Sequence, residues 1–186
     1  ISGIAGPDGG REEKPTPLEA EALLGGIMLD TRDFAINAGV RTFEAAAYLR
    51  RMGAQTQNVK HLFDGSLECY EAKAKLVAQA KIYKGCAIVA AEQIESDSAV
   101  VIPQAANDLL AIEGVQASFV AVDTGNGIMI SARSMGEVNV QLIMEKLGGG
   151  GHLMMAGAQL QDVSMEKTKS YLMAAIDEYR TNQNKE

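Results

Sequence analysis

"EKLGGGGHLMMAG", residues 145–157, sets four consecutive glycines between two apolar segments and closes the run on His152, one of two histidines in the chain. Glycine loses more conformational freedom on folding than any other residue, so such a run weakens a domain unless bare backbone is needed there. Two readings are open. One is a plain loop from a helix into a strand. The other is an anion cradle, in which successive backbone N–H groups of Gly149, Gly150 and Gly151 approach an oxyanion that no Cβ holds off. His152 at its edge adds a donor, and a positive charge when protonated.

Upstream of the glycines, "NVQLIMEKL" (139–147) reads as a helix, and before it "GIMISAR" (127–133) as a strand. That strand pairs with "VQASFVAVD" (115–123) through Thr124-Gly125-Asn126-Gly127, whose Asn-Gly is a hairpin signal. Arg133 and Ser134 stand where the strand ends. The planar guanidinium of Arg133 suits bidentate phosphate recognition, against the alternative of a surface ion pair. Arg133 and the glycines lie at opposite ends of one short helix, so a compact fold can bring them to a shared pocket. Downstream, "AGAQLQD" (156–162) is a closing strand and Ser164 caps a last helix reaching about Tyr179. "CAIVAAE" (86–92) is a further strand and "SAVVIPQAANDLLAIEG" (98–114) mostly helix.

The first half of the chain reads as helical. Thr16-Pro17-Leu18-Glu19 offers an N-cap, a proline at the first helical position and a capping-box glutamate. Further helices are expected over about 42–52, 57–63 and 66–80, the second of these groups ending near Phe63. "LLGGIMLDTRDF" (23–34) closes an apolar run on Asp30, whose carboxylate can serve a hard divalent cation. Asp33 competes for that role, and the plainer reading is an aspartate capping the next turn. One carboxylate does not hold a catalytic metal by itself. His61 is expected to be a partly buried helical histidine, Arg41 a surface residue, and Met144, Met154, Met155, Met165 and Met173 core filler.

The expected class is α/β, in the order lead-in (1–15), helical part (16–65), linker helix (66–84), compact mixed-sheet α/β unit (85–180) and tail (181–186). A hydrophobic content of 47% supports a core. A net charge of −7 argues against a duplex nucleic acid as partner, while leaving a small, locally captured anion open. Cys69 and Cys86 fit neither a disulfide framework nor a zinc site. No apolar run approaches a membrane span of about 20 residues, so no membrane contact is expected of this chain. It opens at Ile1, which suggests a piece of a longer protein.

"SARSMGEVNVQLIMEKLGGGGHLMMAGAQL" (131–160) resembles the DHH-associated domain of the DHH phosphoesterase superfamily, through Ser-x-Arg-Ser, Asn-Val, a helix, Gly-Gly-Gly-His and Ala-Gly in that order. "LLGGIMLDTRDFAINAGVRTFEAAAYLRRMGA" (23–54) resembles the last part of the catalytic DHH domain, and the phrasing is most similar to the membrane-anchored cyclic di-AMP phosphodiesterases with PAS and degenerate GGDEF modules. The resemblance covers about residues 16–180. It implies a helical DHH remnant followed by a substrate-gripping domain, and a two-Mn2+ centre that activates water toward a phosphodiester. It places Asp30 on the last metal-binding aspartate, Arg133 and Ser134 on the phosphate-contacting motif, and Gly149, Gly150, Gly151 and His152 on the glycine-histidine loop.

The family's earlier aspartate and histidine motifs, including Asp-His-His, are expected before Ile1. Hydrolysis of cyclic di-AMP to linear pApA is therefore expected of the parent, with this chain supplying one metal ligand and the substrate clamp. A short-oligonucleotide or phosphoadenosine phosphate hydrolase is the related alternative, and a non-catalytic nucleotide-binding module the unrelated one. The resemblance further implies a cytoplasmic location, a parent at the cytoplasmic face of the membrane, a cyclic dinucleotide or short oligonucleotide partner, and a homodimer as a candidate assembly.

Overall fold

The computed structural model describes residues 14–92, 94 and 98–183, so the lead-in over 1–13 and the tail over 184–186 lie outside the described residues. The chain divides into two units, Ile1–Asp64 and Gly65–Glu186. Each is considered by itself.

The first unit is helical: α1 (Pro17–Asp30), α2 (Val40–Arg51) and α3 (Thr56–His61). The capping box forms as the sequence predicts, with the Thr16 N–H and hydroxyl donating to the Glu19 carboxylate at 2.8 and 2.9 Å. Those bonds hold the Glu19 carboxyl below its ordinary range. Ala20, Leu24 and Met28 of α1 bury themselves against Leu49, Ala54 and Val59. His61 departs from expectation. Its side chain is 74% exposed and its Nδ1 lies 2.7 Å from the Asp64 carboxylate, because α3 is too short to bury a second face.

The second unit contains α4 (Leu67–Ala78), β1 (Lys81–Tyr83), β2 (Cys86–Ala91), α5 (Ser98–Leu109), β3 (Ala117–Asp123), β4 (Ile128–Ser134), α6 (Val140–Glu145), β5 (Gly150–His152), β6 (Met155–Leu160) and α7 (Met165–Gln183). The strands form one six-stranded sheet in the order β1-β2-β3-β4-β6-β5. Only β2 and β3 run parallel, as a connection through a helix requires, and the other pairs are antiparallel. The expected mixed-sheet α/β fold is what forms.

Alternation sorts the sheet's side chains onto two faces. Ile88, Phe119, Ile130 and Ala132 pack with Ile143 and Met144 of α6 and Leu172 and Ile176 of α7. Val89, Val120 and Val122 pack on the other face with Ala72 and Leu76 of α4 and Ile102 and Leu109 of α5. Thus α4, expected to be a linker, is part of this unit's core, and Lys73 on it reaches Asp108 of α5 at 2.9 Å.

Two short strands differ from the sequence reading. Residues 81–83, expected within the linker helix, form edge strand β1, because Lys84 and Gly85 both adopt positive φ and close a tight hairpin onto Cys86. Residues 150–152, expected as loop, form edge strand β5. The last helix also extends beyond Tyr179, to Gln183.

β1 is tied to α7 by a small polar cluster. The Tyr83 hydroxyl donates to the Asp177 carboxylate at 2.8 Å and Lys84 Nζ does so at 2.7 Å. Lys84 first, then Tyr83, hold the Asp177 carboxyl below its usual value, while Asp177 raises Lys84. A depressed carboxyl contributes stability above its unfolded pKa and loses it as pH falls through the folded one. A raised ammonium contributes below its unfolded pKa and loses it as pH rises through the folded one. Asp177→Asn is therefore expected to lower the melting temperature near neutrality, and the gap from wild type to close as the buffer is taken below about pH 4. Thermal melts across pH 2–8 check this, and a constant gap would contradict it.

Candidate functional site

The register of β4, β6 and β5 decides where the sequence-predicted residues stand. Arg133 is paired with Met155, and Met155 with His152. Directly opposed residues of antiparallel strands share a face, so Arg133, Met155 and His152 form one row across three strands. The next row on that face is Ser131, Gly157 and Gly150. This is the side on which α4 and α5 pack, chiefly over β2, β3 and β4. Farther along the same side His152 and Gln159 are exposed and Met155 is 51% exposed. Arg133 itself is half-buried, and its Nη1 donates to the Ala132 carbonyl at 2.9 Å.

Arg133 and His152 therefore do meet on one surface, but by sheet register rather than by closure of a pocket around the intervening helix. Neighbouring strands are about 4.8 Å apart, which puts the two residues roughly 10 Å from each other across Met155. In the next row on this face Gly157 and Gly150 carry no side chains. A Cβ on Gly150 would meet nothing within 4 Å. Its missing side chain leaves the face open.

The other glycines of the run are bare for reasons of packing. Gly148, at φ +76°, turns the chain out of α6. Its N–H donates to the Glu145 carbonyl at 3.1 Å, and that of Gly149 to the Met144 carbonyl at 2.9 Å. The Gly149 N–H is thus committed to closing the helix, which corrects its expected role as an anion donor. A Cβ on Gly149 would sit 2.7 Å from Ala158 Cβ and run into the Gly157 carbonyl. One on Gly151 would sit 2.8 Å from Ala156 Cβ and strike the Met155 carbonyl, at a φ of +147°. β5 can lie this close to β6 only without side chains on that face.

Ser134 lies on the opposite face from Arg133 and is fully buried. Its N–H donates to the Met154 carbonyl at 3.0 Å, its hydroxyl to the Leu153 carbonyl at 3.4 Å, and the hydroxyl oxygen accepts from the Gly136 N–H at 3.3 Å. It pins the strand end to the β5–β6 turn and does not face a ligand on the Arg133 surface, a second correction. Asn139 works similarly: its side-chain oxygen accepts from the Gln141 and Leu142 N–H groups at 3.1 and 3.4 Å, starting α6. Its own N–H donates to the Tyr179 hydroxyl at 2.9 Å.

Asp30, in the other unit, is the exposed last residue of α1. The chain then enters a turn in which Arg32, Asp33 and Phe34 all have positive φ, of 46°, 54° and 67°. Three successive left-handed residues without glycine are strained, and buried Thr31 secures them. Its hydroxyl donates to the Ile27 carbonyl at 2.7 Å and accepts from the Phe34 N–H at 3.0 Å. Among the described residues no group of three or more His, Cys, Asp or Glu could hold a metal ion. Asp30 can offer one ligand, and the residues of this chain do not on their own fit a catalytic metal pair.

Met155 departs from its expected role as core filler. Met144 is fully buried and Met165 and Met173 pack against the core, as expected of filler, whereas Met155 points to the open face because it alternates with buried Ala156 and Ala158. Ser131, Gly157 and Gln159 share that face.

Comparison with known proteins places these features in a family. The DHHA1 domain model matches residues 86–181. The cyclic-di-AMP phosphodiesterase GdpP of Geobacillus thermodenitrificans is 48% identical over 168 residues, 89% of this chain and 26% of that protein. The cyclic-di-AMP phosphodiesterase PdeA of Listeria monocytogenes is 44% identical over 169 residues, 90% of this chain and 26% of that one. The chain thus spans about a quarter of the length of these curated relatives. Among solved structures, an exopolyphosphatase-related protein of Bacteroides fragilis superposes with a TM-score of 0.78 at 23% identity, over 89% of this chain and 52% of that one, a likeness of fold. The chain belongs to the DHHA1 domain family, and the matched residues run from β2 into α7 and include the whole of the open sheet face.

Proposed function

We propose that this chain is the C-terminal part of a manganese-dependent phosphodiesterase that hydrolyses cyclic di-AMP to linear pApA, and that the open face of β4, β6 and β5 grips the substrate phosphate. The observation that supports this reading is the row Arg133–Met155–His152, with the next row on the same face bared at Gly150. The similarity to two cyclic-di-AMP phosphodiesterases over nine-tenths of the chain supports the substrate.

In this reading Arg133 supplies charge-assisted hydrogen bonds to a phosphate oxygen, and its backbone tether at Ala132 limits the orientations the guanidinium must give up on binding. His152 donates from the other end of the row. Gly150 lets the phosphate lie against the backbone. Asp30 would give one carboxylate to a Mn2+ centre completed by ligands from the rest of the protein, and that centre would supply activation of a water for attack on the phosphodiester. Met144, Ile143 and the Gly148–Gly149 turn set the position of β5, and Ser134 sets that of the β5–β6 turn. The complete protein acts at the cytoplasmic face of the membrane, and this chain contributes the substrate grip.

Isothermal titration of cyclic di-AMP onto the chain tests the grip. Arg133→Ala is expected to weaken binding about tenfold to a hundredfold, the loss of a charge-assisted bond worth about 1.5–3 kcal/mol. Unchanged affinity removes Arg133 from the site.

The glycines separate by role. Gly150→Ala is expected to melt like wild type yet bind more weakly, while Gly149→Ala and Gly151→Ala lose about 1–3 kcal/mol of stability through overpacking. Thermal melts beside titrations distinguish the two, and a destabilised Gly150→Ala would contradict the division.

In the full-length protein Asp30→Asn is expected to cut Mn2+-dependent turnover by at least about a hundredfold, because loss of even an outer partner of a metal ligand costs about ten- to a hundredfold. Full turnover in that variant would exclude Asp30 as a ligand.

A further inference from the structure

Met155 is an apolar side chain placed between two polar ones on an open surface. It is the middle member of the row Arg133–Met155–His152, stands 51% exposed, and is not in either hydrophobic cluster of its unit. Its strand neighbours Ala156 and Ala158, by contrast, are buried on the far face. Arg133 and His152 stand to either side of Met155, while the next row on its face has Gly157 in the strand and Gly150 across from it, so those two positions hold no side chain.

Resting on the phosphate grip proposed above, we infer that Met155 is a positioning residue that receives the face of a nucleobase, making this row read a nucleotide as phosphate plus aromatic ring. A ligand whose phosphate is held by Arg133 or His152, about 5 Å to either side, carries its next groups across Met155. Of those groups the ribose is studded with hydroxyls that need hydrogen-bond partners, which a thioether supplies weakly. The base presents an apolar π-face, and a polarizable methionine sulfur or methyl makes favourable contacts with aromatic rings. The open space above Gly150 gives a flat ring room to lie. A methionine also adapts its three rotatable bonds to more than one ring position, so it favours a base without reading its hydrogen-bonding edge.

The test uses the chain labelled with methyl-13C methionine, in which Met155 is one of nine methionines. Met155→Leu identifies its methyl resonance by disappearance. Addition of cyclic di-AMP is expected to move that resonance upfield by ring current, and inorganic phosphate is expected to leave it in place. Met155→Ala is expected to weaken cyclic di-AMP about two- to tenfold, with Met155→Leu recovering most of the loss. If Arg133→Ala abolishes binding while the Met155 methyl stays still on addition of cyclic di-AMP, the base platform is wrong and the phosphate grip stands. If Arg133→Ala binds like wild type, or if the chain binds no cyclic di-AMP, the grip itself fails and this inference with it.

Discussion

The candidate site depends on how closely β5 approaches β6. At Gly149 and Gly151 the backbones come so near that a single Cβ on either would strike the partner strand. That closeness is what lets a three-residue strand hold its register at the sheet's edge, where hydrogen bonds come from one side only. Register then fixes the candidate site, because a slip by one residue would carry His152 to the opposite face. The turn after α6, closed by the Gly148 and Gly149 N–H groups, delivers the chain to that edge. Ser134 and Val140 secure the far end of the hairpin through the Leu153 carbonyl.

A run of four glycines therefore answers three separate physical demands. Gly148 turns out of a helix, Gly149 and Gly151 permit close packing, and Gly150 alone leaves open space above the sheet. In the sequence the run reads as one feature, either loop or anion cradle, since composition shows that side chains are missing but not what would have occupied their place. The helices and long strands were legible because their signals are local: the Thr16 and Ser164 caps, the hairpin between Asp123 and Ile128, and the apolar runs of β2 and β3. Both missed strands have three residues, too few to establish a period, and each is held by a tight turn onto the strand that follows it.

Arg133 and His152 were legible as chemistry but not as geometry. Their residue types named the ligand class, while their meeting follows from pairings that cross the sheet through Met155. Ser134 shows the reverse case. Its hydroxyl beside Arg133 suggested a shared ligand, yet adjacent residues on a strand point to opposite faces, so proximity in sequence argued against proximity in the site. The same alternation, read along Met155, Ala156, Gly157, Ala158 and Gln159, would have marked Met155 as facing away from the two buried alanines.

The charge of the chain fits local rather than long-range capture. At −7 the molecule as a whole does not draw an anion from a distance, and a dianionic ligand approaches against the mean field. At physiological salt, however, the screening length is about 8 Å, so acidic residues beyond the row contribute little once the ligand is seated. Under the proposed grip, what then holds the ligand is contact with a guanidinium, an imidazole and backbone. A surface of that kind would suit a compact ligand with one or two phosphates better than a duplex, whose affinity requires many phosphate contacts spread over a basic face. The same net charge that slows the arrival of an anion would then favour small phosphodiesters over long polyanions.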